Sequence, residues 1–264
     1  MLGMRKQIAP LIGVAIASLE VVSASAACKF ARQGEGRVAA IIDARTFRLD
    51  DGQEVRLAGI ETDTARPSKL ASLIEGRDVT LHSDDDKPDR YGRQVAVAFL
   101  SGSDTSVQTS LLSQGDAIAS GSLSEKTCSA EWQAAETGAR EGKRGLWGDR
   151  SVTKSAKMPG DILARIGQFT IVEGTVVSAR QAGATFYVNF GRRWTRDFAV
   201  TISRRMMPSF EAAGLDLKSI ENKSIRVRGW VQKRGGPRIE ATRPVQIEMT
   251  GEIAKNSVPQ GEGK

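Results

Sequence analysis

Short segments in which apolar and polar residues alternate, separated by turns, recur along most of this chain. On either side of the Asp51-Gly52 dipeptide, residues 46–49 and 54–58 alternate with a period of two. Alternation around an Asp-Gly dipeptide is a strong β-hairpin signal. The constraint is severe, because strands this short have to be assembled with several others of the same kind before they form a stable domain.

Further segments of this kind complete a set that suits a small barrel. Strands are predicted at 37–42, 46–49, 54–58, 78–82 and 94–100, and helices at 67–75, 107–114 and 129–143. Five short strands with helices after the third and the fifth indicate a closed Greek-key barrel, the OB architecture. We therefore predict such a domain over residues 27–148.

A second set of strands follows. It comprises predicted strands at 169–177, 185–190, 197–202, 224–231 and 238–242, with a polar helical stretch at 209–221. The order again fits an OB-fold-like barrel, predicted over 166–250. Residues 149–165 lack periodicity and are predicted to be a linker, and 251–264 a flexible tail. The fold class is mainly β with helices, an α+β chain of two successive β-barrels.

The N-terminus predicts export. Arg5-Lys6 precede an uncharged apolar run at 8–19, and small residues follow up to Ala26. A basic start, an apolar segment too short to span a bilayer and a small-residue cleavage site are typical of a secretory signal peptide, here 1–26. The alternative is a buried N-terminal helix. The mature protein is expected to be periplasmic or secreted, without a transmembrane segment.

The chain has two cysteines, Cys28 and Cys128. An oxidising compartment favours a disulfide between them, which would connect the mature N-terminus to the start of a late helix. Two buried thiols are the alternative.

Positive charge is concentrated late in the sequence. Residues 27–159 contain 19 Lys and Arg against 20 Asp and Glu, whereas residues 160–264 contain 17 against 10. A basic C-terminal part indicates a polyanionic partner, such as single-stranded DNA or RNA or another anionic polymer. Ordinary solubility charge is the alternative.

Several classes of site are excluded. His82 is the sole histidine, so sites built on a histidine pair are ruled out, and no cysteine and histidine cluster exists for structural zinc. No glycine-rich phosphate loop follows a predicted strand, which leaves nucleotide hydrolysis and dinucleotide binding without support.

The candidate site combines arginines with a carboxylate. Arg56 lies in a predicted strand, Glu61 lies where that strand ends, and Arg93 lies in a turn that begins at Asp89. Two guanidiniums can hold one phosphate through paired hydrogen bonds. The alternative is that a strand arginine pairs with a nearby carboxylate such as Glu54 or Glu61.

Residues 36–147 resemble the staphylococcal nuclease (thermonuclease) family. The matching pieces are I-D-A-R-T at 42–46, V-R-L-A-G-I-E-T at 55–62, D-R-Y-G-R at 89–93, L-L-S-Q-G-D-A at 111–117 and G-L-W at 145–147. The resemblance implies an OB barrel that carries a calcium-dependent phosphodiesterase acting on DNA and RNA. In that family two acids hold the calcium, a glutamate helps to activate water, and two arginines stabilise the phosphate.

Carried over by position, the resemblance makes Arg56 and Arg93 the two catalytic arginines and Tyr91 a nucleotide-contacting tyrosine. Glu61 falls on the second metal acid. Two positions depart from the pattern, since Arg45 occupies the first metal acid and Thr64 the catalytic glutamate.

These departures argue against the family mechanism. Calcium needs six or more oxygen ligands, and losing a catalytic base removes a factor of roughly 10²–10⁴. A rearranged calcium site using Asp43 and Glu61 is the alternative, and Arg45 is also a candidate for binding substrate phosphate.

The second domain offers further candidates for substrate binding in the segment around Trp194, which includes Arg192 and Arg193. OB barrels bind single strands by stacking bases on aromatic side chains and contacting phosphates with basic ones. Trp194, Tyr187 and Trp230 are candidates for stacking. We expect Trp194 to be exposed, whereas core packing is the favoured alternative for Tyr187 and Trp230. We count Arg226 and Arg228 as part of the basic surface.

Two functions stay open at this point. One is an exported enzyme that cleaves phosphodiesters, using Arg56, Arg93 and Glu61. The other is a non-catalytic protein of two OB domains that binds nucleic acid or another polyanion, with Arg45 as an additional phosphate contact.

Overall fold

The computed structural model describes residues 30–62, 69–84, 87–122, 126–148 and 152–251. The predicted signal peptide, Cys28, Thr64 and residues 252–264 of the predicted tail lie outside these ranges, so the predictions about them remain predictions. Within the described ranges, no helix is both long enough and apolar enough to cross a membrane.

A closed barrel is built from the first strands of the chain. The strands are β1 (Ala31–Asp43), β2 (Thr46–Leu49), β3 (Glu54–Leu57), β4 (Ile60–Glu61), β5 (Asp78–Ser83), β6 (Gln94–Leu100) and β7 (Ile118–Ala119). The barrel closes in the order β1-β2-β3-β6-β5, with β3 parallel to β6 and the other neighbours antiparallel. β4 and β7 pair separately. The predicted mainly-β fold with an OB-type barrel is confirmed.

The hairpin of β2 and β3 forms as its sequence predicts. Gly52 has a φ of 91°, a left-handed conformation that glycine adopts without steric cost. Phe47, Val55 and Leu57 are fully buried in the barrel core, because their period of two directs them to the same face. The same alternation directs Arg56, between Val55 and Leu57, to the outer face of the barrel.

Three helices accompany the barrel: α1 (Leu70–Ile74), α2 (Val107–Gln114) and α3 (Lys126–Glu141). α2 has the predicted bounds, because local signals mark both of its ends. The Ser106 side chain accepts a hydrogen bond from the Thr109 backbone N–H at 3.0 Å, and Gly115 ends the helix with a φ of 75°.

The second part of the chain forms a larger sheet. Its elements are β8 (Thr153–Ser155), α4 (Pro159–Leu163), β9 (Phe169–Thr175), β10 (Ser178–Ala182), β11 (Thr185–Asn189), β12 (Ala199–Ser203), α5 (Met207–Ala212), β13 (Ser224–Arg234), β14 (Gly236–Glu240) and β15 (Ile247–Met249). The strands are ordered β10-β11-β12-β14-β13-β9-β8, and β15 pairs with β13.

The strand order is the same as in the first barrel, except that two strands, β9 and β10, take the place of β1. β9 and β10 are consecutive in the chain and are separated by Val176-Val177, whose backbone N–H groups continue the pairing to Lys223 and Asn189 at 2.9 and 2.8 Å. β12 runs parallel to β14, as β3 does to β6. Phe186, Phe198 and other buried apolar residues fill the space that the sheet encloses.

Residues 149–165 differ from the predicted linker. β8 pairs in parallel with β9, and α4 buries Ile162 completely against the second core. These elements were missed because a strand of three residues and a helix of five are too short to show a period. From residue 152 onward the segment is therefore an integral part of the second sheet.

The two parts of the structure are joined by a buried interface. Ile118 of β7 and Leu146 pack against Ile171 of β9. Beside them, Arg228 of β13 donates two hydrogen bonds to Glu136 of α3, at 2.8 and 2.9 Å, and these side chains are only 4% and 1% exposed.

The backbone of Ala119 completes this arrangement. Its carbonyl accepts a hydrogen bond from Arg228 at 2.8 Å, and its N–H donates to Glu136 at 2.7 Å. The interface thus connects β7, α3 and β13 through charged groups whose hydrogen bonds are satisfied.

Candidate phosphate-binding site

Arg56 is half-buried on the outer face of the barrel. On β3 it lies between Thr46 of β2 and Val95 of β6. Its guanidinium makes no hydrogen bond or ion pair with any residue that the structure describes. The pKa of Arg56 is lowered, first by burial and then by the positive charges of Arg45 and Arg93. A bound anion would relieve both effects.

Arg93 is held in place by its own turn. Asp89 accepts hydrogen bonds from Nε and Nη2 of Arg93 at 2.9 and 2.7 Å and from the Tyr91 backbone N–H at 2.9 Å. The hydrogen bond from Arg93 is the main reason that the pKa of Asp89 falls to about 2. This leaves the Nη1 group of Arg93 without a partner among the described residues, so it is available to a ligand.

Tyr91 extends from the same turn into solvent. Its side chain is 71% exposed, and the guanidinium carbon of Arg93 lies 5.0 Å from the centre of its ring. A cation over the ring face at this distance is attractive. Arg90 also lies over this ring, with its guanidinium carbon 6.0 Å from the ring centre, so the exposed tyrosine is flanked by two cations.

Arg45 and Glu61 neutralise each other. Arg45 donates hydrogen bonds to the Glu61 carboxylate and, at 3.0 Å, to the carbonyl of Ile60. Both side chains are about 15% exposed. The sequence resemblance assigned these two positions to metal-binding acids, and the structure fills them with an internal ion pair. The second hypothesis treats Arg45 as a phosphate contact. In the structure its Nη1 group is taken by Glu61 and Ile60, and a contact with phosphate stays a prediction.

The donor set does not fit calcium. Calcium needs six or more oxygen ligands, several of them usually anionic. Here Glu61 is bound by a guanidinium, and Asp43 is exposed, with one carboxylate oxygen accepting from the Arg45 backbone N–H at 2.8 Å. No cluster of three or more potential ligands occurs in the part of the chain that the structure describes.

Comparison with known proteins agrees with this architecture. Residues 55–149 match the family model of staphylococcal nuclease homologues. The match covers the first barrel from β3 onward, and we call this part of the chain the nuclease homologue domain. The match contains Arg56, Glu61, Tyr91 and Arg93, whereas Asp43 and Arg45 precede it. No curated protein matches the chain.

The electrostatic surroundings of Arg56 are set by neighbouring charges of both signs. The positive charges of Arg45 and Arg93 lower its pKa. Glu61 and Asp43 act in the opposite direction, with a smaller effect. The local field is therefore positive, which suits an anion and not a cation.

The turn that carries Trp194 lies in the other half of the chain, between β11 and β12. Trp194 is 67% exposed, as expected, and Arg192 and Arg193 are exposed beside it. Asp197 fixes the turn by accepting a hydrogen bond from the Arg193 backbone N–H at 2.8 Å. The arginine side chains here have no partners among the described residues and extend the basic surface.

Two other expectations about the second sheet are wrong. Trp230 was expected in the core but is 48% exposed, because its position on β13 directs it away from the buried face. Arg226 and Arg228 were counted as basic surface, yet Arg228 is buried and Arg226 is half-buried. Arg226 pairs with Glu173 and Glu248, and Arg228 pairs with Glu136. The net charge of a segment does not reveal which of its charges are internal.

The sequence also gave no sign of Glu136 as a structurally important residue. It lies on α3 among other polar residues, and its partner is on β13, far along the chain. An isolated glutamate near the apolar side of an amphipathic helix was the available signal, and that signal is weak.

Proposed function

We propose that this protein binds nucleic-acid phosphodiesters through Arg56 and Arg93 and does not hydrolyse them by the calcium-dependent mechanism of the staphylococcal nuclease family. The observation that carries the proposal is the half-buried guanidinium of Arg56, which has no partner among the described residues and whose pKa is lowered by burial and by Arg45 and Arg93. A cation in such surroundings gains from a bound anion.

The two arginines would share the work of binding. Arg93 is oriented by Asp89 before the ligand arrives, so little conformational freedom is lost when it binds. Arg56 supplies a guanidinium that makes no ion pair with a carboxylate among the described residues. A phosphate oxygen between them would receive charge-assisted hydrogen bonds, which are about twice as strong as neutral ones.

The Arg45–Glu61 pair supports binding over catalysis. In a calcium enzyme the metal polarises the phosphate and the water. A guanidinium at this position can offset phosphate charge but cannot generate a hydroxide. Thr64, at the position of the family's general base, lies outside the described residues, and a threonine has no suitable pKa for that role.

Retained phosphodiesterase activity is the second candidate. It is favoured by one observation, namely that Arg56 and Arg93 keep the positions of the family's catalytic arginines in a domain that matches the family model. Incubation of the protein with single-stranded DNA and RNA in calcium, magnesium or manganese decides between the candidates. Cleavage that disappears in Arg93→Ala would establish the enzyme and overturn the binding proposal.

A gain-of-function variant makes a second test. Arg45→Asp combined with Thr64→Glu restores the acids that the family mechanism requires. If the scaffold is intact, this variant should cut DNA when calcium is added, whereas the unmodified protein binds without cutting. Arg45→Asn with Thr64→Gln is the matched control, since it removes the guanidinium without adding acids.

We further propose that the protein acts outside the cytoplasm, on the strength of residues 1–26. The mass of the exported chain would show whether cleavage follows Ala26. The proposed bridge between Cys28 and Cys128 would appear in the same sample as a mass difference of two hydrogens upon reduction.

A further inference from the structure

A cavity of about 300 Å³ lies where the two parts of the chain meet. Glu61 and Ser122 line it from the nuclease homologue domain, and Phe169, Trp230, Gln232 and Glu240 line it from the second sheet. We call it the interdomain cleft. Ligand sites span about 300–1,000 Å³, so this cleft suits one heterocyclic ring system with little to spare.

An aromatic wall is the most distinctive feature of the cleft. Trp230 is nearly half exposed, and the edge of Phe169 packs against it, with ring centres 6.0 Å apart at 78°. The two residues face each other across β9 and β13. Phe169 in turn packs against the buried interface cluster of Ile118, Leu146 and Ile171, which anchors the aromatic pair.

The charges that line the cleft offset each other, which suits a neutral base. Arg243 and Glu240 both line it, and Gln232 and Glu240 make no side-chain hydrogen bond or ion pair with the described residues. The charge of Glu61 is already offset by Arg45. An amide and a carboxylate can accept from and donate to the edge of a base, while the exposed ring of Trp230 offers a surface for stacking.

Glu61 links the cleft to the arginine site through Arg45. Glu61 forms part of the wall of the cleft and pairs with Arg45, whose carbonyl accepts a hydrogen bond at 2.8 Å from the backbone N–H of Leu57, the residue after Arg56. A nucleotide next to a phosphate held by Arg56 is therefore the one that would reach the cleft.

We propose that the interdomain cleft binds one unpaired base of a single-stranded nucleic acid, stacked on Trp230, while Arg56 and Arg93 hold a nearby phosphate. This inference rests on the proposed function and adds the substrate class to it. A base inside a duplex is covered on both faces and paired at its edge, so it cannot enter. The cleft would thus make the protein selective for single strands.

The first test compares a short single strand with a hairpin duplex of the same composition, using the full-length mature protein. Trp230→Ala should weaken single-strand binding roughly five- to hundredfold and leave duplex binding unchanged. Met158→Ala removes another exposed apolar side chain, outside the cleft, and should bind both as the unmodified protein does. Thermal unfolding of each variant verifies that it is folded.

The second test uses the unmodified protein and needs no variant to fold. A series of oligonucleotides, each lacking a single base at one position, is measured for binding. One position should show a loss similar to that of Trp230→Ala, and the same abasic strand should bind Trp230→Ala no more weakly than the intact strand. A series in which no position matters would overturn the inference.

The outcomes separate the two proposals. If Arg56→Ala loses binding but Trp230→Ala, properly folded, binds single strands normally, the base site is wrong and the phosphate site stands. If the unmodified protein binds no nucleic acid under any ionic condition, both are wrong.

Discussion

The guanidiniums of Arg45, Arg56 and Arg93 differ in what they contact, and these contacts decide what each can do. Arg45 pairs with Glu61. Arg93 donates to Asp89 and keeps one nitrogen, Nη1, without a partner among the described residues. Arg56 contacts no carboxylate among them. Identical side chains therefore have different surroundings: Arg45 is an internal counter-ion, Arg93 is oriented by Asp89, and Arg56 is the one to which we assign the anion.

Because Arg56 has no partner among the described residues, its replacement should weaken nucleic-acid binding without lowering stability. Arg56→Ala should weaken binding of a single-stranded oligonucleotide about tenfold or more, because a hydrogen bond to a charged group contributes about 1.5–3 kcal/mol. Its stability should not fall, and relief of repulsion from Arg45 and Arg93 should raise it slightly. Calorimetric titration and thermal unfolding measure the two effects.

Arg48→Ala is the control for that experiment. Arg48 is an exposed arginine on β2, paired with Glu54 at 2.9 Å. It should affect binding little. Equal losses in both variants would mean that binding depends on overall charge and not on the Arg56 site.

The low pKa of Asp89 predicts that the protein becomes less stable in acid. Its pKa in the folded protein is about 2, against an ordinary value of 3.8, chiefly because Arg93 donates hydrogen bonds to it. A depressed carboxyl pKa contributes stability that is fully present above pH 4 and is lost as the pH falls toward 2. The pair is near the surface, so this contribution should be about 0.5–1 kcal/mol.

Urea unfolding at a series of pH values between 2 and 5 makes the measurement. Asp89→Asn should remove this part of the pH dependence and also free Arg93 to move, which weakens nucleic-acid binding. Asp50→Asn, at an exposed position outside the site, should leave the acid profile unchanged. An identical profile in Asp89→Asn would contradict the role assigned to the pair.

At the scale of single elements, an ion pair between α3 and β13 joins the two parts of the structure. Glu136 and Arg228 are almost completely buried, and each also satisfies the backbone of Ala119. A buried pair adds little net stability, but removing one partner leaves an unpaired charge, which costs about 3–5 kcal/mol.

We therefore expect Glu136→Gln to lower the free energy of unfolding by about 3 kcal/mol or more, as measured with urea. Glu141→Gln, an exposed change on the same helix, should have almost no effect. The double variant Glu136→Leu with Arg228→Met should recover most of the loss. A loss in the double variant equal to the sum of the single losses would show that the two residues do not act as a pair.

Elements with strong local signals could be predicted from the sequence, and weak ones could not. The hairpin at Gly52 and helix α2 were predicted closely because a turn dipeptide, an N-cap serine and a C-terminal glycine fix them locally. β8 and β15 were missed because their pairing depends on strands elsewhere in the chain. β10 pairs with the next strand, β11, and was missed because its residues have no buried face and show no apolar alternation. The helix predicted at 209–221 ends at Ala212, just before Gly214 with its φ of 79°.

For the whole molecule, the distribution of charge predicts how binding responds to salt. If Arg192 and Arg193 contact phosphates, replacing both by Gln should make the slope of log affinity against log salt concentration shallower by about 1.4, the value for two phosphates on a single strand. Fluorescence titration over a range of potassium chloride concentrations gives the slope.

Arg180→Gln with Lys218→Gln is the charge-matched control, since both residues are exposed on the same sheet domain. An equal change of slope in the control would mean that the Trp194 turn has no special role. Deleting the second sheet is a poorer experiment, because it would leave Glu136 without Arg228.

Some residues of the candidate site could be predicted from the sequence, and some of its contacts could not. Arg56 and Arg93 were candidates from the arginines of a strand and a turn, and Tyr91 from the family resemblance, since β3 and the Asp89 turn are both locally encoded. The ion pair of Arg45 with Glu61 and the interdomain cleft were not, because they depend on how separate strands meet in space.

The Arg45–Glu61 pair has one further consequence. A positive charge attached to the chain is always present, whereas a bound metal comes and goes with the composition of the surrounding medium. Chelating agents, or an environment poor in divalent ions, should therefore leave the affinity of this protein for its ligand unchanged. Its binding would then not depend on divalent ions, whereas a calcium enzyme works only when calcium is present.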